Sequence, residues 1–95
     1  MTTARVEAIR ARLTAALAPS ELEIVDESRR HAGHAGARDG RGHFRVRVVS
    51  AAFAGMAPLA RHRAVYAVLG ELMQTEIHAL AITAMTPDEQ VKSYG

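Results

Sequence analysis

Five histidines and no cysteine set the chemistry open to this 95-residue chain. Neutral imidazole ligates zinc, copper and iron through either ring nitrogen. His31 and His34 sit in a glycine- and arginine-rich stretch, His43 opens an alternating apolar run, His62 lies between Arg61 and Arg63, and His78 opens the run Ile77-His78-Ala79-Leu80-Ala81-Ile82. Without cysteine there is no disulfide, no thiol nucleophile and no self-contained thiolate cluster site. A loop histidine is ordinarily solvated and a strand-edge histidine ordinarily structural. A metal reading therefore depends on which imidazoles the fold gathers. His78 is the strongest single candidate.

Other chemistries find less in the residues. Asp26 and Glu27 are adjacent, so on a strand they point to opposite faces and cannot work as a facing carboxylate pair. Ser28 and Ser50 lack a base with its orienting partner. Gly33, Gly36, Gly40 and Gly42 do not lie in a strand-to-helix turn, which removes a phosphate-cradling loop. No intrinsic catalysis is expected. Nucleic acid is the serious competitor: Arg45 and Arg47 on a wet sheet face, with Arg61 and Arg63, could meet phosphates. Against it, Gly55-Met56-Ala57-Pro58 lacks the second glycine of a G-x-x-G loop, and no paired aromatics are available to stack bases. Twelve basic against ten acidic residues is too balanced to indicate nucleic acid by itself.

The secondary structure that carries these residues follows from periodicity. Val6, Ile9, Leu13 and Leu17 fall on one helical face, and the helix stops at Ala18-Pro19. Glu21 to Asp26 reads as a short strand. Glu27 to Gly42 shows no apolar periodicity and is long for a loop in a small domain. From His43 to Ser50, Phe44, Val46 and Val48 face one way and Arg45 and Arg47 the other, the pattern of a sheet with one wet face. Ala51 to Pro58 reads as a turn region with Phe53 plugging the core. Val65, Val68, Leu69, Leu72 and Met73 form one helical stripe. Ile77 to Ala84 is a third strand, and residues 87–95 form a short polar tail or a frayed final helix. The chain is one domain over residues 1–95, with no apolar run long enough to span a bilayer.

The order is helix-strand-strand-helix-strand. Sequential strands pair antiparallel, and a helical crossover makes the second and third parallel. The end of strand one, the start of strand two and the start of strand three then share one end of the sheet. His31, His34, His43 and His78 converge there. His62 lies at the other end of the crossover helix, about 20 Å away, and is not expected to join them.

Asp26-Glu27-Ser28 with His31, His43-Phe44 with Val46-x-Val48-Val49-Ser50, Phe53-x-Gly55, Arg61-His62-Arg63 and Ile77-His78-Ala79-Leu80 resemble the BolA family. The resemblance runs from Val6 to Pro87. It implies an α+β fold of the class II KH-like type, with a three-stranded mixed sheet and helices packed on one face. It also implies a monothiol glutaredoxin as partner and a [2Fe-2S] cluster shared with that partner and glutathione, which would supply the thiolates. The cluster-binding and metal-ligand residues it implies are His78 and His31, with His34 as the alternative loop ligand. The function implied is iron-sulfur trafficking or iron sensing. The competing reading is a DNA-binding transcriptional regulator of morphology and stress response, using Arg45, Arg47, Arg61 and Arg63. Alone, the chain is expected to carry no cofactor and to be a cytoplasmic monomer or weak homodimer.

Overall fold

The computed structural model describes residues 2–28 and 41–94. Helix α1 (Thr2–Leu17) buries Ile9 and Leu13 completely, and Val6 and Leu17 pack beside them. It ends where Ala18 takes a left-handed conformation, φ 43°, ahead of Pro19. Strand β1 (Glu21–Asp26) pairs antiparallel with β2 (Gly42–Val49), from Glu21 opposite Val49 to Asp26 opposite Phe44. After a 3₁₀ turn (Ala51–Phe53), helix α2 (Pro58–Leu69) crosses over, and β3 (Ile77–Met85) returns parallel to β2. The strand order is β1-β2-β3. This is the mixed three-stranded sheet expected from the element order.

The core lies on one face of the sheet. Phe44, Val46 and Val48 of β2 meet Ile9 and Leu13 of α1, Val65 and Leu69 of α2, and Phe53 and Ile77. Each fully buried side chain of this size contributes about 1.5–3 kcal/mol of transfer free energy. Phe53 plugs the core as expected: Ser50 accepts from the Ala52 amide at 3.1 Å and donates to the Leu17 carbonyl at 2.6 Å, which ties the turn to the end of α1.

One element differs from the sequence expectation, and the tail takes the helical one of its two expected forms. The apolar stripe from Val65 to Met73 is not one helix. Gly70, at φ 53°, ends α2, and a separate short α3 (Leu72–Thr75) leads into β3. A side chain at Gly70 would be strained in that conformation, so the residue sets the break. The polar tail is a helix, α4 (Pro87–Tyr94). Thr86 caps it: its hydroxyl accepts from the Glu89 amide at 3.2 Å, while the Glu89 carboxylate accepts from the Thr86 amide at 2.9 Å. That reciprocal pair satisfies two otherwise orphaned donors. Among the described residues, no helix is long and apolar enough to cross a membrane.

Candidate metal centre

Strand direction brings the histidines of β2 and β3 together. β1 ends, and β2 and β3 begin, at one end of the sheet. The ring centres of His43 and His78 lie 5.2 Å apart, with their planes tilted by 46°. They are neighbours because of a register shift. Gly42 pairs with Ile77 but His43 pairs with Ala79, so His78 is an extra residue in β3. The strand bulges there, and the imidazole is exposed on the wet face.

His43 is the firmer of the two. Its amide donates to Ser28 Oγ at 3.1 Å and its carbonyl accepts from the Glu27 amide at 2.7 Å. The ring is half-buried, with Nε2 out of solvent. Asp26 Oδ1 accepts from the Ser28 amide at 2.8 Å, which shapes the turn that holds His43. Gly42 is required beside it. A Cβ there would stand 2.6 Å from the Phe44 ring and 2.7 Å from Ser28 Oγ. Arg41 completes the cluster: its guanidinium reaches Nδ1 of His78 at 3.4 Å and the Gln74 carbonyl at 3.3 Å.

His31 and His34 lie outside the described residues. His62 stands on α2 next to Arg61, whose guanidinium donates to the carbonyl of Ala84, near the far end of β3 from His78. Among the described residues, no three His, Asp or Glu side chains gather as a metal site. The imidazole pair and the absence of cysteine fit a centre whose remaining ligands come from elsewhere.

The arginines weighed for nucleic acid are mostly engaged within the chain. Arg45 pairs with Glu27, and Arg47 with Glu21 at 3.0 Å. Glu21 is held below the usual carboxylate range by the Gln90 amide and then by the Arg47 guanidinium. Arg61 is buried. It donates to the Met56 carbonyl at 2.9 Å, the Ala84 carbonyl at 3.1 Å and both oxygens of Glu89, at 2.5 and 2.9 Å. Its hydrogen bond to Glu89, with that of the Thr86 amide, holds the Glu89 carboxyl down at about 2. Of the four, Arg63 alone is exposed without an ion pair among the described residues. Sequence reasoning missed the Arg61 brace, although Thr86-x-x-Glu89 is a recognisable capping box that marks where the partner carboxylate sits.

The family model described as "BolA-like protein" matches residues 13–89. A mouse protein, BolA-like protein 1, is 52% identical over 80 residues, which cover 84% of this chain and 56% of that one; the chain thus spans about half the length of that relative. The DNA-binding transcriptional regulator BolA of Escherichia coli K12 is 45% identical over 83 residues, covering 87% of this chain and 76% of that protein. Among solved structures, the BolA domain of SufE1 from Arabidopsis thaliana superposes with a TM-score of 0.80 at 42% identity, over 90% of this chain and 94% of that one.

Proposed function

This chain belongs to the BolA family, and on that premise we propose that it partners a monothiol glutaredoxin and shares a [2Fe-2S] cluster with it for iron-sulfur trafficking or iron sensing. The observation that carries this reading is the exposed His78 at the register shift, beside His43 and with no cysteine anywhere in the chain. Imidazole is a competent iron ligand, and a histidine-for-thiolate exchange raises the reduction potential of such a cluster. His78 would hold the group from the strand, and His31 from the stretch that follows Ser28. Three residues of chain reach at most about 10 Å from Ser28, and Ser28 is hydrogen-bonded to His43. His34 is the alternative donor. The partner and glutathione supply the thiolates. The chain itself is not an enzyme in this reading: among the described residues, no nucleophile stands with a base and an orienting group.

The test is reconstitution with a monothiol glutaredoxin, iron, sulfide and glutathione. The mixture should give a coloured heterocomplex, whereas the chain alone stays colourless. His78→Ala should abolish the visible spectrum of the complex with the apo-protein still folded, and His31→Ala should weaken it more than His34→Ala does. An unchanged spectrum and cluster lifetime in His78→Ala would refute the assignment.

DNA-binding regulation is a second reading, favoured by the name of the Escherichia coli relative. The intramolecular pairing of Arg45, Arg47 and Arg61 opposes it. On this geometry any DNA binding is weak, salt-dependent and indifferent to sequence. A strong preference for one sequence over random DNA at physiological salt would reinstate it.

A further inference from the structure

We propose that this chain forms a homodimer by antiparallel pairing of β3 with the β3 of a second copy, giving one continuous six-stranded sheet. The register dictates which backbone groups the edge offers. The Met85 carbonyl accepts from the Ser50 amide at 2.9 Å, so Met85 turns its main-chain polar groups toward β2. Those groups alternate sides along a strand. Ala79, Ala81 and Thr83 therefore also turn theirs to β2, and Leu80, Ile82 and Ala84 turn theirs to the open edge. Arg61 occupies the outward Ala84 carbonyl at 3.1 Å. No described residue is hydrogen-bonded to the outward main-chain groups of Leu80 or Ile82.

This edge suits a copy of itself. With Ala81 opposite Ala81 of the second copy, Leu80 and Ile82 of one chain face Ile82 and Leu80 of the other and exchange hydrogen bonds with them. On the wet face the same register sets Ala81 against Ala81 and Ala79 against Thr83, all small and exposed. On the core face it sets Leu80 against Ile82, both half-buried. β3 contains no Lys, Arg, Asp, Glu or Pro, the residues that ordinarily guard a strand edge. β1, at the other edge, carries Glu21, Glu23 and Asp26 and is guarded by them. Helix α2 supplies a second contact. Leu59 and Tyr66, seven residues apart, share one flank and are 60% and 42% exposed. The opposite flank, Ala60, Ala64 and Val68, is half-buried, and α1 packs against α2. In a right-handed crossover the flank of Leu59 and Tyr66 faces outward past β3, so the two-fold turns it toward its own copy. A short ladder with a small apolar contact makes the dimer weak.

Hydrogen exchange should be followed by NMR on the full chain, alone, from about 20 µM to about 1 mM, a range that brackets weak association. The Leu80 and Ile82 amides should exchange several-fold more slowly at the top of the range. The Ala81 and Thr83 amides, already paired with β2, should be protected throughout. Sedimentation should show the average mass rising from one chain toward two. In a mixture of isotope-labelled and unlabelled chains, a filtered NOE should join Ala81 Hα to Ala81 Hα of the second copy. Ala81→Lys sets like charges face to face at an exposed position and should weaken association several-fold, whereas Glu23→Lys, on the far edge, should leave it unchanged. A chain that stays monomeric at the top concentration would overturn the proposal. So would an association that Ala81→Lys leaves intact. Protection of Leu80 and Ile82 that appears only when a glutaredoxin is added would assign the edge to that partner and also overturn it. The exchange and NOE measurements use the unaltered chain, so a folding defect in a variant cannot pass for lost pairing.

Discussion

Where β3 ends, Arg61 is buried against Phe53, its guanidinium carbon 5.9 Å from the ring centre, and its donors are spent on two carbonyls and the Glu89 carboxylate. Where β3 begins, Arg41 touches the exposed His78 at 3.4 Å, and His78 lies against His43. Arginines and histidines occur at both ends. At the first, the cation locks a helix to the sheet; at the second, the polar groups lie at the surface. The difference is burial: Arg61 is enclosed, whereas Arg41 is half-buried beside an exposed imidazole. It teaches that a basic motif such as Arg61-His62-Arg63 can be cohesive rather than receptive.

Four variants probe the contrast, in falling order of effect. Phe53→Ala removes a fully buried ring from beneath the brace and should cost about 3–5 kcal/mol in chemical denaturation. A loss under 1 kcal/mol would mean that the braced end does not depend on its core plug. Gly42→Ala, at the histidine end, forces a methyl into the Phe44 ring and Ser28 Oγ and should cost about 1–3 kcal/mol. Its amide spectrum should change around His43 and His78 and stay quiet around Arg61.

The third variant tests charge. The Glu89 carboxyl is depressed from 4.5 to about 2 in the folded chain by Arg61 and the Thr86 amide. Its stabilising contribution is therefore complete above pH 4.5 and disappears as pH falls through about 2. Glu21, depressed by Gln90 and Arg47, adds a loss of the same sign. Glu89→Gln should lower stability at neutral pH and flatten the acid limb of a urea-midpoint-against-pH curve. An acid limb identical to that of the unaltered chain would remove Glu89 from the account. The smallest expected effect is His78→Ala, which should change stability by under about 0.5 kcal/mol because the ring is exposed. A melting temperature that drops as far as with Phe53→Ala would make His78 structural after all.

Much of this geometry was legible from periodicity. Phe44, Val46 and Val48 alternate with Arg45 and Arg47, and that period of two placed β2 and its buried face. The parallel pairing of β2 with β3 followed from the helix between them, and it brought His43 to His78. Gly70 was the visible sign of a helix break, but the continuous apolar stripe across it argued the other way, and backbone conformation prevailed. The burial of Arg61 was not legible. Nothing local to Arg61-His62-Arg63 announces a carboxylate arriving 28 positions later. Nor was the bulge at His78, because one extra residue in a strand leaves no mark on composition. His31 and His34, the ligands proposed alongside His78, fall outside the described residues, so their assignment rests on the sequence alone.

The extra residue in β3 can be seen as a correction of phase. A helix repeats every 3.6 residues and a strand every two, so a chain leaving one and entering the other has no reason to arrive with its apolar side inward. Here the turn after α3 delivers Ile77 into the core, and the strand's own beat delivers Leu80, Ile82 and Ala84. Ile77 and Leu80 are three apart, which a strict alternation forbids. The mismatch is absorbed between them, at His78 and Ala79, both of which face solvent. The exposed imidazole thus occupies the joint between two incommensurate rhythms, where neither the preceding helix nor the following strand dictates a hydrophobic side chain.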